Sequence, residues 1–159
     1  MVRIHHLAWL LLAICCLQTA CHTSPPPDKP VRIVYHINYD NIHRQLSALR
    51  SIGYQLDSIA GQSHDIRVVL HGRGISMLLE PDALADTRMS HANATPSMQV
   101  LVSGLKEQGV RFFVDRHTLK EARIDYRHDL YDVDAHDLVD DGILEIVRLQ
   151  KQGFQYIKP

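Results

Sequence analysis

Hydrophobic positions along this chain follow two periods, and the order in which those periods alternate predicts the architecture. Val31 to Ile37 (VRIVYHI) is short and β-branched and follows Pro30, so it reads as a strand. From Asn41 to Gly53 the apolar positions Ile42, Leu46, Leu49 and Ile52 recur at helical spacing, with polar residues opposite. Asp40 suits the N-cap of that helix and Gly53 its end. Ile66 to Leu70 (IRVVL) is a second buried strand, running into the turn HGRG at His71 to Gly74. A short helical patch, ISMLL, and an irregular excursion, EPDALADTRMSHANATP, come next. Thr95 and Pro96 open a helix through SMQVLVSGLKEQ, with Met98, Leu101, Val102 and Leu105 on one face and Gly109 as its stop. Val110 to Val114 (VRFFV) is the third strand.

The stretch from Lys120 to Asp137 is acidic and polar, with Leu130 to Val133 as a candidate short strand. Leu138 to Gln152 reads as a helix whose inner face is Val139, Ile143, Ile146, Val147 and Gln150. Gly153 caps it, and FQYIK is the last strand. Strands alternating with helices require crossover connections and a sheet covered on both faces. The expected fold is a three-layer α/β/α sandwich around a mostly parallel sheet of about five strands. There is no internal repeat and no second domain.

Composition adds an address. A chain of 159 residues with 45% hydrophobic content predicts one globular domain. A net charge of −1 and a pI near 6.8 argue against a nucleic-acid partner. All three cysteines, Cys15, Cys16 and Cys21, fall in the first 21 residues. Arg3 precedes the apolar run LAWLLLAICCL, which is too short to span a bilayer and reads as a secretory signal over residues 1–20. Its end, LQTAC, resembles a lipobox whose cysteine, Cys21, receives a lipid; Gln18 departs from that pattern. The Pro-rich residues 21–30 (CHTSPPPDKP) then form an extended tether, and residues 31–159 the folded domain. The expected location is the envelope or periplasm of a bacterium, lipid-anchored to a membrane, with a soluble periplasmic protein as the alternative. Asn93-Ala94-Thr95 matches a glycosylation sequon, which a bacterial-type signal makes a chance match.

Candidate chemistry gathers where the strands end. Ligands of open α/β sheets bind outside the carboxyl ends of the strands. Here the first strand ends with His36, the second with His71, and the third with Asp115 and His117. If those strands are neighbours, their tips form a candidate ligand or metal site suited to zinc or copper. The competing reading is structural: His71 satisfying its turn, His117 a cap, Asp115 paired with Arg116 or Arg73. Gly72, Arg73 and Gly74 form a candidate anion-binding turn, although G-x-G-x-x-G and the P-loop pattern are both absent. His43, His64, His91, His128 and His136 sit on polar stretches and read as solvated. No G-x-S-x-G elbow is present, and without a thiol in the folded part a Cys–His dyad is excluded.

Three segments in this order, VVLHGRG (Val68 to Gly74), LKEQGVRFFV with the following HTL (Leu105 to Leu119) and GILEIVRLQKQGFQYIKP (Gly142 to Pro159), resemble the DsrE/DsrF-like family of small sulfur-relay-type proteins. The resemblance implies homo-oligomers, often trimers or hexamers, and a DsrE-type partner protein as a further candidate. It also implies a sulfur-carrying cysteine just after the third strand, and at that position this chain has Asp115. A carboxylate is no substitute for a thiolate toward sulfane sulfur. The expected function is therefore a non-catalytic binding or accessory module. A metal-binding protein, or a relay subunit that depends on a cysteine-bearing partner, are the alternatives.

Overall fold

The computed structural model describes residues 29–159. The expected signal segment 1–20, the lipidation site Cys21 and the tether up to residue 28 lie outside the described residues. Five parallel strands form one sheet: β1 (Val31–Ile37), β2 (His64–Leu70), β3 (Arg111–Asp115), β4 (Leu138–Val139) and β5 (Gln155–Ile157), in the order β4-β3-β2-β1-β5. Four α-helices cross between them: α1 (Ile42–Ser58), α2 (Pro96–Glu107), α3 (Arg116–Ala122) and α4 (Gly142–Lys151). This is the three-layer α/β sandwich the periodicity predicts.

Alternation along each strand divides the core. Ile33, Tyr35 and Ile37 of β1, with Ile66, Val68 and Leu70 of β2 and Phe112 and Val114 of β3, pack under α1 and α2. The opposite face carries Val34, Val69 and Phe113, covered by Ile146 and Leu149 of α4 and by Phe154. Lower on that face Arg67 makes a two-pronged bond to Asp65 and lies over the Phe154 ring, 4.7 Å from its centroid. Its charge is thus matched within the sheet surface.

Several local expectations change. Asn41, not Asp40, caps α1, accepting the Arg44 amide, and the helix continues through Gly53 to Ser58 because Ile52 and Leu56 both bury. Leu130 to Val133 is not a strand: Leu130 makes only an isolated antiparallel bridge to Leu79, and the added strand is Leu138–Val139. The inner face of α4 is Gly142, Glu145, Ile146 and Leu149, while Ile143 and Val147 are exposed. Glu145 reaches this buried position because Arg148 chelates its carboxylate from the next turn. The excursion from Glu80 to Thr95 is pinned from inside. The Asn93 amide donates to Asp40 O, Gln45 Oε1 and Ser76 Oγ, all under α1. Asn93 is itself buried, so the sequon is closed to a glycan in the folded chain.

Candidate functional site

Strand order reverses between β1 and β5, since β1 to β4 step one way across the sheet and β5 lies on the far side. That switch point is where an open α/β sheet leaves a crevice. His36 follows Val34 on the α4 face of β1, and Tyr156 of β5 stands in register with Val34 on the same face. His71 is the first residue after β2, the neighbour of β1.

These three side chains form a line. His36 Nε2 is 2.6 Å from His71 Nε2, and His36 Nδ1 is 2.8 Å from the Tyr156 hydroxyl. The ring centroids of the histidines are 4.7 Å apart. That is close to the most that the gap between their nitrogens and the two ring radii allow, so the rings meet nitrogen to nitrogen rather than face to face. Each neutral imidazole carries one N–H, so one Nε2 donates and the other accepts. Burial lowers the His36 pKa to about 4, with the neighbouring His71 and Lys158 adding to the effect. Burial also lowers His71, partly opposed by the carboxylates of Asp115 and Asp141. Both rings are therefore neutral bases at pH 7.

The other sequence candidates take different places. Asp115 is buried at the N-cap of α3. Its carboxylate accepts from the amides of His117 and Thr118, the Thr118 hydroxyl at 2.6 Å and the Gly142 amide. Four donors use its lone pairs, so it works as a joint between α3 and α4 rather than as a base with a free edge. His117 points away from the pair, exposed, and meets Glu121 one turn along the same helix at 3.2 Å. Gly72 and Gly74 shape the turn, but the Gly72 amide donates to Thr118 Oγ1 and the Gly74 amide to His71 O. Neither glycine amide is left for an anion, and Arg73 turns to Asp40. Gly74 has a steric reason: a Cβ there would lie 2.0 Å from the Ile37 carbonyl oxygen. His43, His64, His91, His128 and His136 are exposed.

Among the described residues no group of three or more His, Cys, Asp or Glu is arranged to hold a metal ion. The four-residue cluster expected at the strand tips therefore reduces to His36 and His71. Two ligands on a tetrahedral zinc stand about 3.3 Å apart, as metal–nitrogen bonds of about 2.0 Å require. The pair as it stands is a hydrogen bond, not a zinc cage. Sequence reading missed Tyr156. The signal for it was strand parity, because Phe154 and Tyr156 share a face, but placing that face beside His36 needs the β1–β5 register.

The fold and its strand-end site define a three-layer α/β sandwich with a parallel five-stranded sheet and no thiol in its described part. A model of the DsrE/DsrF-like family matches residues 23–159, and the chain belongs to that family. It is similar to a solved structure, a protein of unknown function from Methanobacterium thermoautotrophicum. The two are 29% identical, the match covers 80% of this chain and 98% of that one, and the TM-score is 0.63. No curated relative matches. No described helix is long and apolar enough to cross a membrane.

Proposed function

We propose that this chain is an oligomeric binding module of the bacterial cell envelope, anchored through a lipid on Cys21, that does not itself carry sulfur. The observation that carries this reading is Asp115. At the position where the family resemblance calls for a reactive cysteine stands a carboxylate whose oxygens are committed to four donors, and no cysteine follows Cys21. A group so committed positions backbone rather than attacking a substrate.

Assembly is supported by the outer flank of α4 and β5. Ile143, Leu144, Val147 and Tyr156 are all exposed, Leu144 by 66%, although a helix of this length has an apolar face already buried. Apolar side chains on both sides of one short helix suit a second contact surface. The anchor is supported by the LQTAC end of the signal-like segment and by the proline-rich stretch behind it.

Three measurements on the full chain expressed in a bacterium test this. Mass spectrometry of the membrane fraction should find a diacylglyceryl group on Cys21, and an unmodified N-terminus there removes the anchor. Sedimentation velocity should find an oligomer that Leu144→Glu with Val147→Glu reduces to monomers. A parent chain that is monomeric at tens of micromolar removes the assembly. A chain with its cysteines intact that accumulates a persulfide after incubation with a sulfur donor overturns the central claim.

A further inference from the structure

The sheet ends at β4, and the open edge of that strand runs between two cavities on opposite faces of the sheet. We propose that this edge binds an extended acidic segment of a partner protein as an added strand, with an acidic side chain seated against Lys120 and Arg123. This rests on the binding-module reading and names the kind of partner.

β4 is the outermost strand on its side of the sheet and pairs with β3, Leu138 beside Val114 and Val139 beside Asp115. Among the described residues no strand covers its other side. Leu138 and Val139 are only half-buried, so the edge is open to solvent. Such an edge offers N–H and C=O groups to a second chain. Its side chains alternate: Leu138 packs into the core layer under α1 and α2, and Val139 faces the α4 layer.

A cavity of about 470 Å3 lies on each side of this edge. Leu138 and Arg116 line both, which sets the cavities back to back across β4. A strand laid beside β4 continues the pleat of the sheet, so its alternate side chains enter one cavity and then the other. A small anion would use one cavity alone; an extended chain uses both and the edge between them.

Charge selects the occupant. On the α3 side an apolar floor of Leu119, Ile124 and Leu138 is rimmed by Arg116, Lys120 and Arg123, which share one helix face at i, i+4 and i+7. Arg116 meets Asp140 at 3.4 Å in a pair open to solvent. Among the described residues the side chains of Lys120 and Arg123 have no ionic partner. Asp125, the carboxylate of that lining, is taken up by the Arg127 amide and His128. Arg123 also holds a left-handed backbone, φ 58°, where a helix end ordinarily uses glycine. A long cation is therefore kept at a position whose backbone favours no side chain.

On the α4 side the carboxylates are engaged already, Glu145 by Arg148 and Asp141 by the Leu144 amide. What that cavity offers is Val139 and the Arg148 stem, a seat for an apolar side chain. Leu144 at its rim belongs to the assembly flank, so the α3 side carries the specificity.

The probe is a short blocked peptide of alternating glutamate and valine, titrated by fluorescence anisotropy into the detergent-solubilised full chain. It should bind, and a lysine–valine counterpart should not. Methylating alternate backbone nitrogens of the peptide keeps its charge but removes its strand pairing, and should weaken binding about tenfold or more. Lys120→Glu with Arg123→Glu should weaken it about tenfold or more. Arg123→Gly suits the left-handed backbone, so it should weaken binding about threefold while the thermal midpoint stays at or above the parent's. The amide resonances of Leu138 and Val139 should move with the peptide. A folded parent that ignores the peptide, a methylated peptide that binds equally well, or unmoved β4 amides overturns the proposal. An oligomer that dissociates in the Lys120→Glu, Arg123→Glu variant assigns the edge to a second copy and overturns it too. Sedimentation of the parent separates this from the wider reading: an oligomer that ignores the peptide loses only this site, and a monomer that binds it loses only the assembly.

Discussion

His36 and His71 meet Nε2 to Nε2 at 2.6 Å, at the ends of neighbouring parallel strands, so a single hydrogen lies between two buried or half-buried bases. Protonating both rings would place two positive charges in contact beside Lys158. That consequence can be read as a pH dependence of stability.

The folded His36 pKa is about 4, against about 6.5 in the unfolded chain, and His71 shifts in the same direction. Above pH 6.5 both states are neutral and the pair is without effect. As pH falls from 6.5 through 4 the unfolded chain takes up protons that the folded chain refuses, and stability is lost. Each pKa unit is worth about 1.4 kcal/mol, so allowing for partial solvation the loss is on the order of 2 kcal/mol. The groups facing the pair are Tyr156 on β5, Lys158 beyond it, and Asp115 and Asp141 on the His71 side. Urea midpoints at pH 7.5, 5 and 4 should fall more steeply for the parent than for His36→Asn; parallel curves would show that the pair is not the cause.

Gly74 is predicted to be intolerant of any side chain. Its Cβ would stand 2.0 Å from the Ile37 carbonyl oxygen, backbone that is itself fixed in the sheet. Gly74→Ala should cost more than about 3 kcal/mol or prevent folding. Gly53→Ala is the control, since nothing lies within 4 Å of its Cβ and it sits inside α1. That change should stabilise by about 0.5–1 kcal/mol. Thermal melts of the two variants decide, and equal effects would refute the steric account.

Asp115→Ala should leave four donors without their acceptor and loosen α3 from α4, at about 2–3 kcal/mol. Asp115→Asn keeps an acceptor oxygen and should lose about half as much. Hydrogen exchange at Thr118 and Gly142 is the sharper measure, because both amides should lose protection in the alanine variant. Protection that survives would mean the cap is dispensable.

Asn93 is predicted to behave as a core residue despite lying in a sequon. Its amide binds Asp40 O, Gln45 Oε1 and Ser76 Oγ, so Asn93→Ala should cost about 1–3 kcal/mol by stranding buried acceptors. Denaturant unfolding of that variant measures it, and a change below half a kcal/mol would show that water replaces the amide freely.

Much of the architecture is legible in the sequence. β1, β2 and β3 were read from β-branched runs, and α2 from its Thr-Pro start and spaced apolar positions. The phase of α4 was not. Ile143 and Val147 are as apolar as Ile146 and Leu149, so the helix has apolar positions on two sides, and only contact with Val34 and Val69 selects the second pair. Glu145 is absent from the expected inner face and is buried because Arg148 accompanies it. The fourth strand lies eight residues after the expected Leu130 to Val133, since Leu138 and Val139 make a strand only through β3 beside them.

By itself the sequence determined the period of the longer elements, the alternation of strands with helices, and the absence of any thiol beyond Cys21. Those are local properties, written in neighbours three or four positions apart. Tertiary structure decided which strand tips meet. It joined His36 to His71 across 35 positions and to Tyr156 across 120, and it turned His117 outward by making Asp115 the cap of α3. Register and helix phase are set by long-range packing, and side-chain periodicity repeats identically whichever register is chosen.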